Sequence, residues 1–505
     1  MLKKIRVALA VVFWAGITFL LLDISGALHA WLGWMAKIQF LPAVLALNVG
    51  VIAALVLLTL VFGRVYCSVI CPLGVLQDGI SHIGTRKEKR PYRYNKEHAW
   101  LRYGMLALFV VALIAGVHAV VVLLAPYSAY GRMVQTLLQP VYIWGNNLLA
   151  TLAERAGSYT FYRNEVWMRS LPAVVVAVVT FVVIFLLSFK GGRLWCSHFC
   201  PVGTTLGFIS RFAMFRPVID QSQCKHCKRC ETQCKAHCIE ITRDTARIDH
   251  SRCVACFNCI DSCPQGGLQY RFTWRPAPKK TAPEQNAPET AQGENGRRAF
   301  LTGTAVAVGA AALKSTEALA QAAKKVDGGL AEVLPKQAPE RETPVTPPGS
   351  RNVKDFYRHC TACQLCVAQC PNHVLRPSTS LEHLMQPEMG FEKGFCRPEC
   401  TRCSELCPTG AIRRIGPEEK TAYHVGTARV NRELCVAEKG THCGKCAQVC
   451  PSGAITLVKQ GEARIPTVNE AQCIGCGACE YYCPARPVSA ITVNGRQEHL
   501  NEEAL

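Results

Sequence analysis

Hydrophobic and polar positions divide this chain into an apolar first part and a polar, cysteine-punctuated remainder. Four long apolar runs come first: Val7 to Leu22, Ala43 to Phe62, Met105 to Ala125 and Leu171 to Phe189. Each approaches the roughly 20 residues a helix needs to cross a bilayer. The pattern therefore predicts four transmembrane helices in an α-helical membrane domain. Buried helices of a large soluble enzyme are the alternative, and four such runs in under two hundred residues argue against it. Beyond them the pattern changes to short β-prone pieces such as AITLV and ARIPTV between cysteine groups. These predict α+β ferredoxin-like domains with many loops.

Polar punctuation sets the expected orientation. Lys3, Lys4 and Arg6 precede the first run, and Arg86, Lys87, Lys89, Arg90, Arg93 and Lys96 follow the second. Lys190, Arg193, Arg211 and Arg216 follow the fourth. The first external loop has only Lys37. The second carries Arg132, Arg155, Arg163 and Arg169, partly offset by Glu154 and Glu165. By the positive-inside rule both ends of this domain face the cytoplasm. The expected location is the bacterial inner membrane, crossed several times, with Trp31 and Trp34 in the outer interface. The formal net charge of +20 then needs no nucleic acid to explain it, and the lipid bilayer is the expected partner.

From Pro276 to Asn295 the chain is rich in Pro, Ala, Gln and Glu, too poor in large apolar residues to form a core. Next come Arg297 and Arg298, then Phe300 and Leu301, a short Ala/Gly/Val run to Leu313, and Ala-x-Ala at Ala318, Ala320 and Ala322. These are the parts of a twin-arginine export signal, which would place the C-terminal third in the periplasm. A second Pro-rich stretch, Leu334 to Ser350, suggests no site. The expected organisation is 1–215, a four-span membrane domain; 216–275, a two-cluster ferredoxin domain; 276–350, a linker with the signal-like segment; and 351–505, a four-cluster ferredoxin domain.

The 29 cysteines carry the chemistry. Nearly all fall in tight C-x2-C or C-x3-C-P groups. Residues three apart on a turn converge on a metal cluster more readily than they form disulfides. Cys224, Cys227, Cys230 and Cys234, then Cys253, Cys256, Cys259 and Cys263, have two-cluster ferredoxin spacing. In that pattern the fourth cysteine of each group ligates the other cube. Cys263 should therefore join Cys224, Cys227 and Cys230, and Cys234 should join Cys253, Cys256 and Cys259. Lys235 stands where proline usually follows, and Cys238 is an extra thiol read as packed.

Four further groups follow: Cys360, Cys363, Cys366, Cys370; Cys396, Cys400, Cys403, Cys407; Cys435, Cys443, Cys446, Cys450; and Cys473, Cys476, Cys479, Cys483. The second and third have widened first gaps. The total expected is six [4Fe–4S] clusters. Two matched motifs, YCSVICPLG with Cys67 and Cys71 and WCSHFCPVG with Cys196 and Cys200, lie at the cytoplasmic ends of the second and fourth runs and suggest an internal duplication. Their thiols could hold a metal, cycle between thiol and disulfide, or pack as small hydrophobes. No C-x-x-C-H and no nucleotide fingerprint occurs, so no attached c-type haem is expected. His29 and His118 are weak candidates for contact with a quinone.

On these motifs residues 1 to about 275 resemble NapH, the membrane polyferredoxin of periplasmic nitrate reductase systems. Residues from about 295 onward resemble NapG and its MauM relatives, so the whole looks like a NapH–NapG fusion. The resemblance implies a quinol-dehydrogenase module carrying electrons from the membrane quinol pool to a periplasmic or membrane redox protein, with a quinone as a further cofactor. It also implies that the outer groups of the last third exchange fourth ligands, as do the inner groups. Cys483 would then join Cys360, Cys363 and Cys366, and Cys370 would join Cys473, Cys476 and Cys479. Likewise Cys450 would join Cys396, Cys400 and Cys403, and Cys407 would join Cys435, Cys443 and Cys446. The membrane half is also similar to CcoG and NosR, and oxidase assembly or copper reduction of the CcoG type is the alternative. The chain lacks the extra C-terminal β-domain expected there.

Overall fold

The computed structural model describes every residue except 24–25, 89–90, 159–170, 244, 274–333, 461–462 and 500–505. The Pro276–Asn295 linker, Arg297, Arg298 and the Ala-x-Ala sites lie outside the described residues, as do Arg163, Glu165 and Arg169. Two compact units are distinguished. One comprises Met1–Phe272 and Lys336–Leu505; the other, Thr273–Pro335, falls almost wholly outside the described residues.

The first unit is built on a helical body. Helices Leu2–Leu22 and Pro172–Gly191 are long and apolar enough to cross a membrane. The other two apolar runs are interrupted. In the second, Asn48 stops helix continuity and caps Val49–Phe62, its Oδ1 accepting from Val51 N at 3.2 Å. In the third, Gly116 adopts φ +76°, and Ala99–Ala115 ends there before His118–Leu124 begins. Val49–Phe62 and Ala99–Ala115 are shorter apolar helices. Side chains such as Leu57, Trp100, Ile114, Val141, Trp144 and Val179 stand exposed on the outside of this body. So much outward-facing apolar surface needs an apolar environment or a partner.

The stretch holding Arg132 and Arg155, between the third and fourth apolar runs, is helical rather than irregular. Pro126–Met133 passes through a π-turn, Val134–Leu138, into Gln139–Arg155. Arg132 is fully buried and donates from Nη1 to Val122 O at 2.6 Å. Its charge therefore cannot be counted as a solvent-facing loop charge. The helical pattern was hidden because small and polar residues face inward in Pro126–Met133, which is buried along its whole length.

Two cysteine-rich bodies flank the helices. In the first, strand Phe215–Ile219 pairs antiparallel with Leu268–Phe272, and Ile239–Ile241 with Ala246–Ile248. In the second, three antiparallel pairs support the loops: Leu375–Pro377 with Pro387–Met389, Gly426–Val430 with Ile491–Gly495, and Ile455–Gln460 with Ala463–Val468. The second Pro-rich stretch belongs to this body rather than to a linker. Val345 is fully buried in its core, Gly495 N donates to Thr343 O at 3.0 Å, and Arg341 pairs with Glu480 at 2.7 Å.

The two bodies meet opposite ends of helix Leu2–Leu22. At its start, Lys3 Nζ lies 3.0 Å from Asp261 of the first body. Near its end, Leu20 O accepts from Gln369 Nε2 of the second at 3.2 Å. A helix of 21 residues is about 30 Å long. Further contacts fix each end. Arg64 and Arg102 donate to Ser251 O at 3.1 and 2.9 Å. At the other end Ser128 Oγ donates to Thr361 O, and Gly131 lies against the backbone of Cys363.

Candidate metal centres

Local backbone chemistry brings the thiols together. In four of the six groups the residues on either side of the second cysteine are left-handed: His226 and Lys228, Ala255 and Phe257, Ala362 and Gln364, Gly475 and Gly477. That pair of bends curls the loop so that three side chains share one centre. For the six non-glycine residues it costs about 1–2 kcal/mol each. A short helix then carries the third cysteine, as in Arg229–Thr232, Asn258–Ser262, Leu365–Ala368 and Ala478–Tyr482. The two groups with widened gaps lack the paired bends, and the extra residues do the turning.

Five thiol-lined cavities result. One is lined by Cys224, Cys227, Cys230 and Cys263, and another by Cys234, Cys253, Cys256 and Cys259. In the last third, Cys360, Cys363, Cys366 and Cys407 line one cavity; Cys370, Cys396, Cys400 and Cys403 a second; and Cys450, Cys473, Cys476 and Cys479 a third. Cys446 feels Cys443, Cys435 and Cys483, which make the sixth set.

The outer-with-outer and inner-with-inner exchange is thereby overturned. Cys407, not Cys483, completes the first group, and Cys370 completes the second. Cys450 and Cys483 cross between the third and fourth. The reason lies in how the short helices pack. Each fourth cysteine ends or closely follows the short helix of its own group, and the adjacent group in sequence folds back against that helix: Leu365–Ala368 packs on Arg402–Leu406, and Lys445–Gln448 on Ala478–Tyr482.

The donor set fits iron–sulfur cores. Burial pushes the Cys230 and Cys446 thiols up to about 11, and those of Cys363 and Cys476 up to about 12. Bare, these groups stay neutral at pH 7; a bound cationic core is what turns them into thiolate ligands. Among the described residues no three His, Cys, Asp or Glu side chains close around a single metal ion; four thiols line each cavity instead. Cys238 lines the same cavity as Cys234, with the two Sγ atoms 3.4 Å apart. It occupies the place, four residues after the last cysteine of its group, where Ala411 and Ala454 stand in other groups.

Hydrogen bonds to cluster sulfurs and nearby charge tune reduction potentials. Buried Lys420 donates from Nζ to Cys396 Sγ at 3.2 Å and to Cys400 O at 2.6 Å. Its charge favours the reduced, more negative core. Lys420→Met should therefore lower the midpoint of that one centre, by on the order of 60 mV, a tenfold change for one electron. A redox titration followed by electron paramagnetic resonance (EPR) measures it, and an unshifted spectrum would remove Lys420 from the account. No spacing rule marks this lysine, since it lies 24 residues from the thiol it touches.

The four remaining thiols, Cys67, Cys71, Cys196 and Cys200, are all buried inside the helical body. His118 is buried at the start of its helix, and His29 is half-buried. Neither lines any of the cysteine cavities described above.

Comparison with known proteins agrees with the cavities. A 4Fe-4S binding domain matches residues 44–91 and 173–218. Two 4Fe-4S dicluster domains match residues 216–285 and 435–486. The second dicluster match holds the third and fourth groups of the last third together, as the cavities do. The chain is 34% identical over 153 residues to the methylamine utilization ferredoxin-type protein MauM of Methylobacillus flagellatus, covering 28% of this chain and 64% of that protein. It is 33% identical over 187 residues to MauM of Paracoccus denitrificans, covering 33% of this chain and 81% of that protein. It is 26% identical over 221 residues to the ferredoxin-type protein NapH of Haemophilus influenzae, covering 42% and 64%.

Proposed function

Because this chain belongs to the ferredoxin-type family that includes MauM, a family of iron–sulfur electron-transfer proteins, we propose that it is a membrane-bound module of quinol-dehydrogenase type. Electrons leave membrane quinol, pass singly along six [4Fe–4S] clusters, and reach a periplasmic redox partner. Cys224, Cys227, Cys230 and Cys263 hold one cluster, and Cys253, Cys256, Cys259 and Cys234 the next. Cys360, Cys363, Cys366 and Cys407 hold the third, and Cys396, Cys400, Cys403 and Cys370 the fourth. Cys435, Cys443, Cys446 and Cys483 hold the fifth, and Cys473, Cys476, Cys479 and Cys450 the sixth.

The observation that carries this reading is the placement of two cysteine-rich bodies at opposite ends of an apolar helix about 30 Å long. That length matches the hydrocarbon thickness of a bilayer. The exposed apolar side chains around the helical body support a lipid environment. The clusters supply one-electron chemistry; the chain's own residues set their order, shield them from water and tune them, as Lys420 does.

The test is anaerobic addition of a short-chain quinol to the purified full chain in detergent, followed by EPR. The expected result is reduction of the clusters by quinol and about 24 irons in the six ferredoxin sets. Clusters that dithionite reduces but quinol does not would remove the quinol step.

A further inference from the structure

One cysteine differs from all the others. Of the 29 thiols only Cys227 is exposed; the rest are buried or half-buried. It sits at the tip of a loop bent by His226 at φ +51° and Lys228 at φ +60°. The other groups with paired bends cover their tips. Ala255 and Phe257, Ala362 and Gln364, Gly475 and Gly477 are all buried. Phe257 meets the ring of Tyr270 at 5.1 Å, Gly131 of the helical body lies against Cys363, and a Cβ on Gly477 would collide with Phe391. At Cys227 the flanking Lys228 is exposed and His226 only half-buried.

This uncovered tip is basic. Lys225, Lys228 and Arg229 are exposed, and their side chains make no hydrogen bond or ion pair among the described residues. Lys225 and Arg229 also line the cavity of Cys224, Cys227, Cys230 and Cys263. The carboxylates near them in sequence are engaged elsewhere. Glu231 accepts from Tyr94 N at 3.1 Å, and Asp220 accepts from Ser222 N at 3.1 Å. Asp261, two residues before Cys263, pairs with Lys3 at 3.0 Å. Exposed lysines and arginines are ordinary surface residues. Their coincidence with the single exposed cluster ligand gives this face a use: charge of one sign draws an oppositely charged partner onto the patch where the cluster comes nearest to solvent.

The position suits an end of the relay. Behind this centre, Cys259 of the next one lies within electrostatic reach of Cys230. Beyond that, Arg64 and Arg102 of the helical body donate to Ser251 O, two residues before Cys253. The order from solvent inward is therefore the Cys227 centre, the Cys253 centre, then the helices.

We propose that the Cys224, Cys227, Cys230 and Cys263 cluster is an entry port, on which an acidic, water-soluble one-electron carrier protein docks against Lys225, Lys228 and Arg229. The carrier is oxidised by one electron and the cluster is reduced by one; no bond is made or broken and no proton moves. Redox encounters of this kind are small and transient, so charge rather than apolar area brings the partners together. The port goes beyond the quinol reading and does not depend on it.

The test uses the anaerobically purified full chain in detergent and reduced flavodoxin, an acidic one-electron carrier whose flavin absorbance reports its own oxidation by stopped flow. Reduction by the viologen radical, a small cation, is the reference. The wild-type rate with flavodoxin should fall about tenfold or more from low to high salt. In Lys225→Gln/Lys228→Gln/Arg229→Gln the ratio of flavodoxin to viologen rates should fall about tenfold at low salt. Lys228→Glu should lower the same ratio with iron content unchanged. Its side chain lies outside the cluster cavity, so it decides the matter if the triple variant loses the cluster. A wild-type rate indifferent to salt, or a ratio unchanged in both variants, would overturn the proposal. So would disappearance of the variants' effect in nanodiscs of anionic lipid, which would assign the basic face to lipid headgroups. Reduction of the clusters by quinol is a separate readout, so failure here is distinguishable from failure of the quinol reading.

Discussion

Cys407→Ala is expected to abolish the cluster of Cys360, Cys363 and Cys366 and to leave the cluster of Cys396, Cys400 and Cys403 in place. The substitution lies inside the second group by sequence, so spacing alone suggests damage there. The cavities assign it otherwise: Cys407 lines the first cavity, beside Thr361, Ala362 and Gln364, while Cys370 lines the second. Removing one of four thiolates leaves an iron one ligand short in a cavity that offers no further thiol to replace it. The expected loss is about four irons. The Lys420-sensitive signal identifies which centre survives: it should persist in Cys407→Ala and vanish in Cys370→Ala. Loss of the Cys435, Cys443 and Cys446 centre instead would restore the outer-and-inner exchange, and loss of the Cys396, Cys400 and Cys403 centre would put Cys407 in its own group; either result would overturn the assignment.

The second large effect concerns the joint between the helical body and the last third. At Gly131 an added Cβ would sit 2.4 Å from Cys363 O, a backbone atom that cannot swing aside. Gly131→Leu must therefore push the two surfaces apart, at a cost of at least the 1–3 kcal/mol typical of overpacking. The neighbouring Ser128 to Thr361 hydrogen bond is lost with it. Electron transfer between the bodies should slow at least tenfold, whereas the clusters themselves remain. Stopped-flow reduction of the C-terminal centres measures the rate. Gly145→Ala is the control, because nothing lies within 4 Å of its added methyl. A Gly131→Leu protein as fast as wild type would show that the joint carries no electrons.

Much of this was legible from residues alone. Cysteine spacing located all six groups, because a cluster loop is a local object whose bends are set by a few adjacent residues. The long apolar runs located Leu2–Leu22 and the helix ending at Gly191 for the same reason. What was not legible depends on contacts between distant segments. Which fourth cysteine crosses to which group is decided by how short helices pack, as with Leu365–Ala368 against Arg402–Leu406. The buried run Pro126–Met133 is covered on every side yet carries Ser128, Gly131 and Arg132 and is only eight residues long, so its small and polar residues read as a loop. Arg64 donating to Cys196 O and Arg193 donating to Cys67 O link two motif copies well over a hundred residues apart, and neither copy alone announces that pairing.

The proposed function requires electrons to travel from one end of the helical body to the other. Proteoliposomes containing the full chain in a single orientation test it directly. A membrane-impermeant reductant is supplied outside and a one-electron acceptor protein is trapped within. The prediction is reduction of the trapped acceptor, with a rate that falls at least tenfold in Gly131→Leu. An acceptor that stays oxidised while the outward-facing clusters are fully reduced would contradict it.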